Sequence, residues 1–234
     1  EEGAQIVLSN APVALRMGEI NKLAETCGNA PIVGADVTNM DDLKNLFEKS
    51  MEHFGGRVDF ILHSIGMSLN VRKGKHYTEM NYEWNQKTLD ISAMSLHRVL
   101  RTAWDMDAIN EWGSVVALTY IAAQRVFPDY NEMADAKALL ESITRSFGYQ
   151  YGIKKHVRVN SISQSPTRTT AGSSRRSALR DGGGADSRTK RAHVGPSGWN
   201  GATEPSAARS RRHSPSVRHG PSGDSTLTAT STRV

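Results

Sequence analysis

The stretch TYIAAQRVFPDYNEMADAKALLES, residues 119–142, carries two tyrosines ten positions apart, Tyr120 and Tyr130, and a lysine seven further on, Lys137. A phenol can donate a hydrogen bond or a proton to a developing oxyanion. An ammonium close to a phenol favours the phenolate, and the same ammonium can hold the hydroxyls of a ribose. Seven residues make two helical turns, so Tyr130 and Lys137 are expected on one face of a helix. Tyr120 stands just past an apolar run that reads as a buried strand, where α/β sheets place their ligands. These residues could form a proton and hydride site. Spacing alone leaves open, and in isolation favours, the alternative of two solvated tyrosines and a surface lysine on an amphipathic helix.

The elements around this stretch follow a regular plan. AQIVLS, APIVGAD, VDFILHSIG, GSVVALTY and VRVNSISQ are short apolar runs that read as strands. GEINKLAETC, TNMDDLKNLFEKSMEHF, EWNQKTLDISAMSLHRVLRTAWDM and YNEMADAKALLESITRSFGYQYG carry helical periodicity between them. Thr38 is the expected N-cap of the second of these helices, with Asp41 at its third helical position. Strands that are apolar almost throughout, alternating with helices, predict a parallel sheet covered on both faces.

Charge and composition divide the chain. Of 29 Lys and Arg and 24 Asp and Glu in the 234 residues, 11 basic and 4 acidic ones fall in residues 173–234. The body, 1–172, is therefore slightly acidic, and its charge gives no reason to expect a nucleic-acid partner. Residues 173–234 contain no Ile, Phe, Tyr, Met or Cys and are rich in Ser, Arg, Gly, Pro and Thr. Such a segment buries too little apolar surface to offset its ordering entropy, and a disordered basic tail is expected. The lone cysteine, Cys27, excludes an intrachain disulfide and fits a reducing, cytoplasmic compartment. No 18-residue apolar run points to a membrane span, and no His, Cys, Asp or Glu residues show metal-ligand spacing. DGGGAD at 181–186 lacks the strand-then-helix setting of a phosphate loop. RSRRHSPSVRHGPSG at 209–223 reads as an unstructured basic segment.

Five motifs together carry a resemblance: HSIG at 63–66, DIS at 90–92, ALTY at 117–120, YNEMADAKALLES at 130–142 and VRVNSISQSPTRTTAGS at 157–173. With them the chain, from Gly3 to about Ser173, resembles the NADH-dependent enoyl-acyl-carrier-protein reductases of bacterial fatty acid synthesis. These are a divergent branch of the short-chain dehydrogenases. The Tyr-x6-Lys spacing with Met133 between matches that branch, where the ordinary branch has Tyr-x3-Lys. NVRKGKHYTEMNYEW resembles the longer-loop version of the family. The resemblance implies a Rossmann-like doubly wound parallel sheet and NADH/NAD as cofactor. The implied substrate is an enoyl group carried on acyl carrier protein, and the implied intact assembly is a homotetramer, with no specific nucleic acid and no membrane.

Roles carry over residue by residue. Tyr130 would hydrogen-bond the thioester carbonyl, Lys137 the nicotinamide ribose, and Tyr120 would line the acyl pocket. Asp36 and Val37 would flank the adenine, with a helix-capping Asp as the plainer reading of Asp36. Ser64, Ile65 and Gly66 would let the cofactor approach the backbone. Met67 and Ser68 would border the substrate. Thr167, Arg168, Thr169, Thr170 and Ala171 would contact the nicotinamide and pyrophosphate. His63 is expected to pack in the core.

The pattern also departs from the family at both ends. The opening strand and its Gly-rich turn are not in the sequence. In a strand order of 3-2-1-4-5-6-7 that leaves a central gap between the strands at 5–8 and 58–62, with two unpaired edges. After TTAGS the family pattern stops and the Ser/Arg-rich segment begins, which a reading-frame shift near Ser173 would produce. The expected organisation is a partial Rossmann-type domain over 1–172, lacking its first and last strands, followed by the tail. Two other readings stand beside the reductase: a short-chain dehydrogenase acting on a carbonyl, and an inactive fragment whose tail binds anions non-specifically.

Overall fold

Apolar runs that alternate with helical segments become the strands and covering helices of one parallel sheet. The computed structural model describes residues 3–127, 130–164 and 228–231. Strand β1 (Leu8–Asn10) is followed by a short helix α1 (Pro12–Leu15), α2 (Glu19–Thr26) and β2 (Ile32–Gly34). Then come α3 (Met40–Phe54), β3 (Val58–Ser64), α4 (Leu69–Arg72) and α5 (Tyr82–Leu89). A five-residue π segment, Asp90–Met94, joins α5 to α6 (Ser95–Asp105). Strand β4 (Ile109–Thr119), α7 (Glu132–Lys155), β5 (Arg158–Ser163) and β6 (Thr228–Ser231) complete the described chain.

All described pairings in the sheet are parallel, in the order β2-β1-β6-β3-β4-β5. The expected gap between β1 and β3 is therefore filled. Thr228–Ser231 lies there, with Leu8 opposite Ala229 and Ser9 opposite Thr230 on one side, and Leu62 and His63 opposite the same two residues on the other. This corrects two expectations: the two edges are paired, and four residues of the presumed coil form a central strand. Thr and Ala have no strong apolar signal, but a slot between two strands offers hydrogen-bond partners to any extended backbone. The remainder of 173–234, and hence most of the expected disorder, lies outside the described residues.

Neighbouring residues of a strand point to opposite faces, and the core shows it. Val7 belongs to the main apolar cluster with Leu43, Phe47, Leu96, Leu100 and Leu140. Leu8, the next residue, belongs to a second cluster with Ile20, Ala24 and Ala30. Helices α3 and α6 present Leu43, Leu46 and Phe47, and Leu96, Val99, Leu100 and Ala103, at three- and four-residue spacing. Full burial of one such side chain stabilises by about 1.5–3 kcal/mol. The N-cap of α3 is Asn39 and not Thr38. Asn39 Oδ1 accepts from the N–H groups of Asp41 and Asp42, at 2.9 and 3.4 Å.

Candidate active site

Because the strands are parallel, their C-terminal ends lie along one edge of the sheet. That edge carries Asp36 after β2, Ser64 at the end of β3 with Ile65 to Ser68 beyond it, and Tyr120 after β4. A 3₁₀ turn at Ile121–Ala123 reverses the chain after Tyr120. The ring of Tyr120 then meets Phe127 edge-on at 5.4 Å and Tyr130 edge-on at 4.9 Å. Two tyrosines ten residues apart thus form one aromatic cluster, and Tyr120 is buried within it. Edge-to-face pairs of this kind contribute about 0.5–1.5 kcal/mol beyond their area.

Tyr130 is not on the helix, which corrects the expectation of a shared helix face. Helix α7 begins at Glu132, and its cap is Asn131, with φ 48° and ψ −144°. Asn tolerates positive φ better than most residues. Its Oδ1 accepts from Glu132 N–H at 2.9 Å, and its Nδ2 donates to the carbonyl of Lys75 at 2.6 Å. Tyr130 therefore hangs from a bent, doubly anchored cap, and Lys137 reaches the same strand end from inside the helix.

Lys137 is buried, and its Nζ donates to the carbonyl of Leu118 at 2.7 Å, two residues before Tyr120. Burial pulls its pKa down to about 8, so the ammonium persists at neutral pH. His63 is buried too. Its Nε2 lies 2.9 Å from Ser95 Oγ, and burial, followed by the Lys137 charge, lowers its pKa to about 3. It is a neutral core residue, as the sequence suggested.

The exit of β3 is held against α7. A Cβ on Gly66 would come within 2.7 Å of Met133 Cε, the far end of a flexible side chain, so Met133 lies directly against this glycine. Ile65 is buried. The backbone of Met67 is pinned by Ser92 of the π segment: Met67 N–H donates to Ser92 Oγ and Ser92 Oγ donates to the Met67 carbonyl, both at 2.9 Å. Ser68 Oγ accepts from Val71 N–H at 3.1 Å, capping α4, and donates to Glu132 Oε1 at 2.7 Å.

At the end of β2, Asp36 is exposed and its Oδ1 accepts from both the N–H and the hydroxyl of Thr38, at 2.8 and 2.7 Å. The plainer, helix-capping reading of Asp36 does not hold: Asn39 caps α3, and Asp36 closes a turn onto Thr38. Val37 packs against the main core. Thr167, Arg168, Thr169, Thr170 and Ala171 lie outside the described residues. Among the described residues no three His, Cys, Asp or Glu side chains gather as a metal site, and no helix is long and apolar enough to cross a membrane.

Ser92, Asn131 and Glu132 are parts of this site that sequence reasoning assigned no role. DIS and YNEMADAKALLES were singled out as motifs, but their polar members point to backbone groups and side chains far away in sequence, and spacing does not encode that.

A family model described as enoyl-(acyl carrier protein) reductase matches residues 1–208. The enoyl-(acyl-carrier-protein) reductase (NADH) FabI of Rickettsia bellii (strain RML369-C) is 37% identical over 155 residues, covering 66% of this chain and 57% of that protein. The FabI of Aquifex aeolicus (strain VF5) is 34% identical over 171 residues, 73% of this chain and 62% of that protein. Among solved structures, the FabI–NADH complex from Alistipes finegoldii superposes with a TM-score of 0.71 at 63% identity, covering 74% of this chain and 60% of that one. The enoyl-(acyl-carrier-protein) reductase (NADH) structure from Aquifex aeolicus VF5 gives a TM-score of 0.66 at 32% identity, covering 73% and 65%. The chain spans about three-fifths of the length of the curated relatives it matches.

Proposed function

Because the chain belongs to the enoyl-(acyl carrier protein) reductase family, we propose that its strand-end site serves NADH-dependent reduction of the trans-2 double bond of enoyl thioesters on acyl carrier protein. The observation that carries this reading is the convergence of Tyr120, Tyr130 and Lys137 at the end of β4. The alternative drawn from spacing, solvated tyrosines and a surface lysine, does not fit a buried Tyr120 and a buried Lys137.

The residues present fit a dinucleotide. Lys137 offers a buried ammonium with Leu118 as its acceptor among the described residues, and Asp36 stands exposed at the β2 end. NADH supplies a hydride to the β-carbon when bound. Lys137 would hold the nicotinamide ribose, and Ser64 to Gly66 would lie along the cofactor. Asp36 and Val37 would flank the adenine, and Thr167 to Ala171 are proposed to contact the nicotinamide and pyrophosphate.

As negative charge develops on the thioester oxygen, Tyr130 would donate a hydrogen bond to it, and a proton from solvent delivered to the α-carbon would complete the saturated thioester. Tyr120, packed on Tyr130, forms a wall of the acyl pocket with Met67 and Ser68. The family resemblance supports a homotetramer and a cytoplasmic setting for the intact protein, and the single cysteine agrees with a reducing compartment.

The test uses the full chain with an enoyl thioester and NADH. Tyr130→Phe is expected to keep NADH affinity and lower kcat roughly a hundredfold, the usual worth of one oxyanion donor, about 3 kcal/mol. Lys137→Ala is expected to weaken NADH binding at least tenfold. Absence of NADH binding and turnover in the unaltered chain, or full turnover in Tyr130→Phe, would overturn the assignment.

A further inference from the structure

Glu132 is an acidic side chain in a place where a polar group is costly. It is fully buried at the first position of α7. Its Oε1 accepts from Ser68 Oγ at 2.7 Å, and Thr88 Oγ1 lies 3.0 Å from the same oxygen. Thr88 Oγ1 is also 2.9 Å from the carbonyl of Trp84, so its single proton serves one acceptor at a time. Glu132 Oε2 has no hydrogen-bond partner among the described residues. A buried carboxylate so incompletely matched is expensive, and a position that served packing alone would be better filled by an apolar side chain. Such a group is best explained by what it holds in place.

Glu132 joins three elements. Ser68 belongs to the β3 exit and caps α4, Thr88 belongs to α5, and Glu132 itself follows Tyr130 by two residues. Its neighbour Asn131 makes a parallel tie to the Lys75 carbonyl, and Tyr77 donates to Asp135 Oδ2 at 3.0 Å one turn further along α7. Segment 68–77 is thus stitched to the first turn of α7 at three points. Glu132 makes the innermost stitch, and the one that reaches a residue bordering the acyl pocket.

We propose that Glu132 is a positioning residue: its buried carboxylate locks the Met67–Ser68 wall onto the base of α7 and so fixes the distance between the acyl pocket and Tyr130. The inference rests on the proposed reductase reading for its substrate, but the lock itself is a property of the chain. With the lock intact, the acyl group enters a wall whose position is already set. Without it, Ser68 loses its acceptor, α4 loses the orientation of its cap, and the enoyl group must order the wall as it binds.

The test compares the full chain with Glu132→Gln, Glu132→Ala and Ser68→Ala by amide hydrogen exchange and by steady-state kinetics. Glu132→Gln retains an oxygen for Ser68 and should keep near-normal protection and KM. Glu132→Ala and Ser68→Ala should each speed exchange at Val71–Lys75 at least tenfold and leave β3, β4 and β5 protected. Glu132→Ala should raise KM for the enoyl thioester about tenfold, with kcat within threefold and NADH affinity unchanged, while Ser68→Ala, at a residue of the pocket wall itself, is read by exchange alone. The double variant should be no worse than either single one. Unchanged exchange at 71–75 in Glu132→Ala overturns the proposal, and so does loss of protection throughout the sheet, which would make Glu132 a general stability residue. If the unaltered chain shows no turnover, the reductase reading fails, and the exchange data still decide whether the lock exists.

Discussion

His63 and Lys137 are two bases buried near the same strand ends, and burial acts on both in the same direction. For each, the unfolded chain binds a proton at a pH where the native chain refuses it. For His63 the window runs from about 6.5 down to about 3. Its neutral, buried form is fully compatible with folding above pH 6.5, and stability is lost as pH falls toward 3. Two pH units inside that window correspond to roughly 3 kcal/mol. Denaturant titrations at pH 7 and pH 4.5 should therefore show the unaltered chain losing about 3 kcal/mol more than His63→Gln. Equal losses would mean that His63 is accessible to protons. For Lys137 the window runs from about 8 to 10.5, so folding becomes easier as pH rises through it, while the charge proposed to hold the ribose disappears. NADH affinity should fall between pH 7 and 9 with an inflection near 8, and Lys137→Met should bind weakly with no such inflection. Residue types were legible at this scale: the sequence marks Tyr120, Tyr130 and Lys137 as a set and His63 as core. Their burial was not, because it depends on which elements close over them.

At the scale of the element, the pattern over 83–106 predicts one long helix, and the chain is helical from Tyr82 to Asp105. It does not predict the π segment at Asp90–Met94, since one wider turn leaves the apolar periodicity almost intact. Arg98 pairs with the Asp90 side chain and also reaches the Asp90 carbonyl at the start of that turn. The turn places Ser92 so that its single hydroxyl serves both polar groups of Met67. Ser92→Ala removes no apolar contact but leaves Met67 N–H and its carbonyl without this partner. Each such group costs about 1–3 kcal/mol when buried and unpaired. Partial exposure of the pair sets the expectation near 2 kcal/mol, read as a shift in urea midpoint at unchanged slope. A shift below about 0.5 kcal/mol would mean that water replaces the hydroxyl. The cap of α7 teaches a similar lesson. Helical periodicity beginning at Tyr130 is present in the sequence, yet Asn131 takes a positive φ and delays the helix to Glu132. Local side-chain bonding to Glu132 N–H and Lys75 decides the boundary, and periodicity is silent about it.

At the scale of the molecule, strand–helix alternation predicts the parallel sheet, its strand order comes with the family resemblance, and the strands at the ends of AQIVLS, VDFILHS and VVALT fall where their apolar runs predict. What alternation could not supply is the occupant of the slot between β1 and β3. Thr228–Ser231 has neither the length nor the apolarity of a buried strand, and its place comes from the backbone groups that β1 and β3 leave open. Those groups are the strongest reason for the segment to stay. An open pair of parallel edges would invite pairing with other chains. Thr230 stands opposite Ser9 on one side and His63 on the other, at the centre of the inserted strand. Thr230→Pro removes the N–H at this position and with it a ladder hydrogen bond, which is why proline is confined to edge strands and bulges. The expected result is a lower denaturation midpoint, faster amide exchange at Leu8–Asn10 and Leu62–Ser64, and concentration-dependent association through the exposed edges. Thr230→Val keeps the N–H and favours extended backbone, so it should leave all three measurements unchanged. If Thr230→Pro behaves like Thr230→Val, the slot is not held by this strand and the two edges must be protected in another way.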